Sequence, residues 1–438
     1  PGIASALSVA VLGNLGTLRM IFHGYQRLVA PGGSIDNVNI LTHWVWAIRG
    51  FIRALLGTPL PYGLADWYWN PSRSIPAPND VEPITEFPFF TVLYADPHAH
   101  LFSLPLTILA LAWILSVIFS RGWQMETSGN SRKWMIRAGF GLLFGGLSVG
   151  VLRPTNTWDL PTYLLLGSLA IGYSFLQHHK QTDKSFTREP FQRRVILSLV
   201  GIILFVFFSL FLFQPYAHWY VQGYTAVDLW KGTHTPFWSY LTHWGLFLFI
   251  ITFWLGWETY LWMASTPLSF VRKLEGYKPI IIAGCIFFLL SIIIFLILGV
   301  RIAWLVILLV TWASLLTLQS RISDAKRFIL ILIIISLLLT LMVEVIVLRG
   351  DIGRMNTVFK FYLQSWTMLA ISASATFAWL LSELPSWNSL WRSIFRLGVV
   401  VLVASAALYP LLATMAKVKD RMAQDAPHTL DGMAFMEF

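Results

Sequence analysis

WNPSRSIPAPNDVEPITEFPFFTVLYADPHAH (Trp69–His100) runs directly into LFSLPLTILALAWILSVIFS (Leu101–Ser120), and this junction decides the fold. The second half is a 20-residue apolar run, the length that spans the hydrocarbon core of a bilayer. The first half packs Arg73, Asp80, Glu82, Glu86, Asp96, His98 and His100 into 32 residues with six prolines. Proline fixes φ and lacks an N–H, so this half reads as a stiff, extended loop with turns. A polar loop feeding a membrane helix is a natural place for chemistry.

Working outward, apolar blocks recur along all 438 residues, which are 56% hydrophobic and only 12% charged, with mean hydropathy +0.66. A soluble chain would carry about a quarter charged residues, so the expected fold class is all-α, a polytopic helical membrane protein. Expected spans are 1–18, 99–120, 135–152, 158–177, 195–214, 241–263, 279–300, 302–319, 328–348, 361–384 and 397–414. The single cysteine, Cys285, lies within such a block, which excludes an internal disulfide and a cysteine metal cluster. The formal charge of +10 does not require nucleic acid, and none is expected as a partner, because cytoplasmic loops of membrane proteins collect Lys and Arg. Pro1 stands inside an apolar run without an initiator Met, which reads as a fragment or processed product.

The connecting segments alternate in charge. Arg121, Arg132, Lys133, Arg137, then 180–194, 272–278, 321–327, Arg392 and Arg396 hold 17 of the 31 basic residues in five short loops. The positive-inside rule makes these cytoplasmic. Segments 19–98, 153–158, 215–240, 349–360 and the start of a C-terminal segment at 415–438 then share the extracytoplasmic face. The chain divides accordingly into a partial span (1–18), an outer loop (19–98), a helical bundle (99–414) and that terminal segment. Within the outer loop, Ile40–Leu56 reads as an interfacial helix, with Arg49 and Arg53 four apart. Gly141, Gly145, Gly146 and Gly150 predict close helix packing within the 135–152 span.

Three patterns on the outer face are candidate sites. Asp96-Pro97-His98-Ala99-His100 reads either as an N-cap with proline following or as a polar site, with Asp96, His98 and His100 as ligands of a divalent cation such as Mg or Mn. Arg354 to Lys360 (RMNTVFK) places two cations at a helix start capped by Asn356 or Thr357. Cations there oppose the helix dipole, so the segment serves either an anion, most naturally a phosphate, or lipid snorkelling. Asn156-Thr-Trp-Asp159 opens a further helix, as capping or as a binding site for a sugar or cation. Glu344, near the outer end of its span, requires a partner, for which Arg349 and Arg354 are the candidates.

Trp69-Asn-Pro-Ser-Arg73, Thr85-Glu-Phe-Pro-Phe-Phe90, Asp96–His100, Asn156–Asp159, Arg354–Lys360, Tyr409-Pro410 and Thr429–Met433 occur together and in order. As a set they resemble the Chlor_Arch_YYY membrane-protein family, a domain of unknown function grouped with the C-type glycosyltransferase superfamily. The family's tyrosine run is absent, as for an N-terminally truncated chain, and Pro97 stands where Leu is expected. The resemblance implies a prokaryotic integral membrane enzyme that transfers a sugar from a polyprenyl-phosphate-linked donor at the outer face. It implies a catalytic acid at Asp96 or Glu86, or upstream of Pro1, and substrate contacts from Arg73, Asn156, Asp159, Arg354, Asn356 and Lys360. Membrane lipids and the donor are the expected partners; a transporter or flippase and a non-catalytic scaffold subunit are the alternatives.

Overall fold

The computed structural model describes residues 1–95, 97–119, 131–177, 191–220, 226–267, 269, 274–422 and 429–437. Helices α1 (Gly2–Ala10) and α2 (Gly16–Arg27) lead to α3 (Ile40–Leu55), α4 (Leu64–Trp69) and α5 (Pro88–Tyr94). Then come α6 (Ala99–Phe119), α7 (Ser131–Gly150), α8 (Leu152–Thr155), α9 (Leu160–Gln177), α10 (Phe191–Phe211) and α11 (Gln214–Trp219). A short strand, β1 (Val227–Leu229), precedes α12 (Phe237–Ser265), α13 (Lys278–Ile297), α14 (Ala303–Thr317) and α15 (Asp324–Met342). Strand β2 (Ile346–Leu348), α16 (Met355–Glu383) and α17 (Ser389–Arg421) follow. The two strands pair antiparallel with Val227 opposite Leu348.

Among the described residues, eight helices are long and apolar enough to cross a membrane: α6, α7, α10, α12, α13, α15, α16 and α17. The chain is a polytopic all-α membrane protein. Helices α9 and α14, the latter of 15 residues, occupy two further expected spans.

The run at 1–18 is not one helix. It breaks after Ala10 and restarts at Gly16, and the cause lies far away in α17. Pro410 has no N–H to give the carbonyl four residues earlier, and that carbonyl, of Ala406, accepts the Gly13 N–H at 3.2 Å. A side chain on Gly13 would meet Tyr409 Cβ at 2.5 Å, so only glycine allows this docking. The Leu15 N–H donates to the Thr242 carbonyl of α12, and Asn14 Oδ1 accepts from the Gly16 N–H at the start of α2.

The small-residue spacing in α7 works as expected. A Cβ on Gly145 would lie 2.1 Å from the Trp113 ring of α6, and one on Gly146 would lie 2.4 Å from Phe208 of α10. The Gly141 carbonyl accepts the Trp113 indole N–H at 3.0 Å. In the bundle centre, Trp244, Phe247, Tyr362 and Trp366 pack as one aromatic group.

The loop Trp69–His100 is more structured than its prolines suggest. Pro88 sits in the first turn of α5, where the missing N–H leaves no bond unmade. Helix α5 ends at Ala95 with φ +56°, a left-handed conformation unusual for a residue with a side chain. Phe87, fully buried, stacks on Trp366 at 5.1 Å and meets Tyr409 edge-on at 4.7 Å. One aromatic anchor therefore ties the loop to α16 and α17.

Candidate functional site

The Ser74 N–H donates to Thr85 Oγ1 at 2.9 Å, and the Thr85 N–H donates to the Ser72 carbonyl at 2.9 Å. These two bonds pinch the base of the 74–85 loop. They bring Arg73 and Glu86, thirteen positions apart, together as an ion pair of 3.5 Å with both side chains largely buried. The Arg73 guanidinium also lies 4.2 Å over the Trp69 ring, and its Nη1 donates to the Ser72 carbonyl and hydroxyl. Burial lowers the Arg73 pKa from its usual range, and the Glu86 charge works against that shift.

This pair forms one wall of a cavity of about 350 Å³. Its polar lining is Arg73, Glu86, Thr91, His98, His100, Asn156, Asn356 and Lys360. Trp69, Phe90, Tyr94 and Phe359 supply aromatic surface, with Phe90 stacked on Tyr94 at 5.3 Å. Helix α6 begins at Ala99, so Pro97 and His98 precede it while His100 stands in its first turn. The two imidazoles stack at 5.7 Å, and His100 meets Phe359 edge-on at 4.4 Å. Asp96 lies outside the described residues. Among the described residues no three His, Cys, Asp or Glu side chains converge as a metal site.

Asn156 ends α8, and the turn Thr157–Asp159 leads into α9. Asp159 is therefore not in the cavity wall but buried behind it, 2% exposed, facing the Ser103, Asn156 and Gln364 side chains with the Lys360 charge in range. Gln364 is itself held, accepting from the Thr162 hydroxyl at 2.6 Å and donating to the Trp158 carbonyl at 3.0 Å. Burial raises the Asp159 pKa to about 7, the Lys360 charge works against that shift, and Gln364 fixes the turn that carries Asp159.

The segment 354–360 separates into two parts with different partners. Arg354, 2% exposed, points away from the cavity; its Nη1 donates to Glu344 Oε1 at 2.6 Å and to the Val343 carbonyl at 3.1 Å. Glu344 also accepts the Thr235 N–H at 2.9 Å and pairs with His234 at 3.3 Å. Arg354 is thus the partner Glu344 required, whereas Arg349 pairs with exposed Asp228 at 3.0 Å. Neither Asn356 nor Thr357 caps α16. Asp351 does, accepting the backbone N–H groups of both at 3.1 and 2.7 Å, together with the Asn356 amide and the Thr357 hydroxyl. An internal carboxylate thus occupies the helix terminus where a phosphate was expected. Lys360, one turn further on, is the cation of this segment that borders the cavity.

Sequence reasoning missed the aromatic wall. Trp69 and Arg73 stand four apart, but the helix ends at Trp69, so helical spacing gave no hint that the ring and the guanidinium would stack. Phe359 sits inside the RMNTVFK pattern and was hidden by its charged neighbours.

Residues 1–369 match the family described as Uncharacterized membrane protein (DUF2298). No curated protein and no solved structure matches the chain.

Proposed function

The chain belongs to the DUF2298 family of uncharacterized membrane proteins, and we propose that it is a membrane glycosyltransferase taking its sugar from a polyprenyl-phosphate-linked donor at the extracytoplasmic face. The observation that carries this reading is the composition of one cavity: two cations, a carboxylate, two amides and four aromatic rings gathered from three distant segments. Amides and aromatic faces suit a sugar. Arg73 and Lys360 suit a phosphate, since charge-assisted bonds to phosphate oxygens are among the stronger polar contacts.

In the proposed step an acceptor hydroxyl oxygen attacks the anomeric carbon from the side opposite the phosphate, giving inversion. The bond from that carbon to the phosphate oxygen breaks, and its electron pair leaves on the polyprenyl phosphate. The hydroxyl proton passes to the Glu86 carboxylate, or to Asp96 if that residue faces the acceptor. Arg73 and Lys360 neutralise the charge developing on the phosphate, where stabilisation lowers the barrier most. The Arg73 guanidinium lies 3.5 Å from the Glu86 carboxylate, so the base and the cation stand side by side at the reacting bond. His98 and His100 are the side chains that would share a divalent cation with Asp96.

The test is binding of a short-chain polyprenyl phosphate to the purified protein, with and without Mg²⁺ or Mn²⁺, for wild type, Arg73→Ala and Lys360→Ala. Losing one charge-assisted contact of about 1.5–3 kcal/mol weakens binding roughly 10- to 100-fold. Saturable binding that both variants retain at full strength sinks the assignment of these cations, and absent binding by the wild type sinks the carrier-lipid reading.

A further inference from the structure

Helices α2 and α3 form a hairpin beside the bundle whose construction the cavity does not explain. Helix α3 packs its small residues inward. Ala47 and Gly50 are buried, and a Cβ on Gly50 would fall 1.7 Å from the Tyr25 carbonyl oxygen of α2. Most of its large apolar residues point the other way: Leu41, Ile48, Ile52, Leu55 and the following Leu56 are 51–82% exposed, and Trp44, whose ring edge meets Phe22 of α2 at 5.2 Å, is 56% exposed. Their spacing by threes and fours makes one continuous stripe opposite the packed face. In water such a stripe is an aggregation liability.

The hairpin is also basic. Arg19, His23 and Arg27 recur at every fourth residue of α2; Arg49 and Arg53 do the same on α3, and neither helix contains an acid. Among the described residues none of these arginines has a carboxylate partner. Arg19 lies 3.3 Å over Trp238, Arg27 lies 5.9 Å over Tyr62, and Arg53 donates to the Leu28 carbonyl at 2.7 Å. The nearby Asp66 is engaged by the Gly63 N–H and the Asn70 amide. The cluster is tight: burial first, then the charges of Arg19, Arg27 and His43, together lower the His23 pKa to about 4. Arg49 and Arg53 flank the apolar stripe on one side, where the polar edge of a bilayer would meet them.

We infer that the α2–α3 hairpin is a binding surface for anionic phospholipid, with the α3 stripe among the acyl chains and Arg27 and Arg49 at the headgroup phosphates. Charge complementarity selects this occupant over a protein partner, which would have to offer both an apolar groove and a row of acids. The inference needs only that the chain is an integral membrane protein and does not depend on what the cavity binds.

The test uses the full chain with Cys285→Ser, which removes its single cysteine. Nitroxide labels go one at a time on cysteines replacing Leu41, Trp44, Ile48 and Ile52, in vesicles of phosphatidylcholine and phosphatidylglycerol. The expected result is high accessibility to oxygen and exclusion of a water-soluble nickel chelate at all four sites. Access by the chelate overturns the inference, placing the stripe in water; exclusion of both overturns it too, placing the stripe under protein. Retention of phosphatidylglycerol over phosphatidylcholine by the purified protein, read by native mass spectrometry, tests the headgroup half. Arg27→Gln and Arg49→Gln are expected to lower that preference about fivefold each. An unchanged ratio in the double variant overturns it.

Discussion

Arg354 and Lys360 stand six positions apart around the start of one helix, yet one is a structural group and the other a candidate binding group. The difference is the partner each meets. Arg354 is enclosed with Glu344, Thr235 and a carbonyl, and removing one member of a buried pair leaves the other charge without compensation. Arg354→Ala is therefore expected to destabilise the protein by about 3–5 kcal/mol, read as lower denaturant resistance in detergent. Lys360→Ala should cost less stability, because Lys360 is only half-buried and Asp159 keeps its other polar neighbours, and should weaken carrier-phosphate binding as well. A stable Arg354→Ala protein would show that this pair contributes little. Asp351 belongs to the same scale: it satisfies four donors at one helix start, and Asp351→Ala is expected to cost roughly 1–2 kcal/mol, the upper part of the capping range.

Among the elements, the break between α1 and α2 is made by α17. Pro410 frees a carbonyl that the interrupted chain then satisfies, which is the condition for an irregular backbone at membrane depth. Gly13→Val would press a branched side chain onto Tyr409, where a Cβ alone already comes within 2.5 Å. The expected cost is about 1–3 kcal/mol of stability, measured by thermal unfolding against Gly2→Val, whose site is open. Equal stability of the two variants would mean that α1 docks without this close approach. Helix α17 reaches further still. Its 33 residues span about 50 Å, well beyond a bilayer core of about 30 Å, and its far end meets Tyr68 through Asp420 and Arg421. Lys417, one turn before, lies 3.9 Å over the ring of Tyr94 in the cavity wall.

For the whole molecule, the orientation proposed from loop charge makes a direct prediction. With Cys285→Ser as background, a cysteine at exposed Val81 should react with a membrane-impermeant maleimide in intact cells, and one at exposed Arg321 should react only after permeabilisation. The reverse pattern would place the cavity in the cytoplasm and remove the extracytoplasmic transferase reading. Convergence at this scale is narrower than loop position alone suggests. Segments 69–100, 156 and 356–360 meet at the cavity, whereas 227–229 forms a ribbon with 346–348 and Thr235, just after it, bonds Glu344 instead.

The class of fold was legible in the residues themselves, because a bilayer demands about 20 apolar residues per span and a helix satisfies every backbone group locally. Blocks such as 99–120 and 241–263 therefore announced α6 and α12, and the glycine spacing of α7 announced its close packing. Local charge and proline content marked Arg73, Glu86, His98, His100 and Lys360, and helix-start patterns marked Asn156 and Asn356; these share one cavity in the structure. Partnership was not legible, because it depends on contacts between distant residues. Nothing local to Gly13 says that a proline almost four hundred residues later has left a carbonyl free. Nothing local to RMNTVFK says that Glu344 turns Arg354 inward while Asp351 closes the helix end. The sequence determined which groups lie in polar segments between spans; packing across the bundle decided which of them face open space and which are bound to one another.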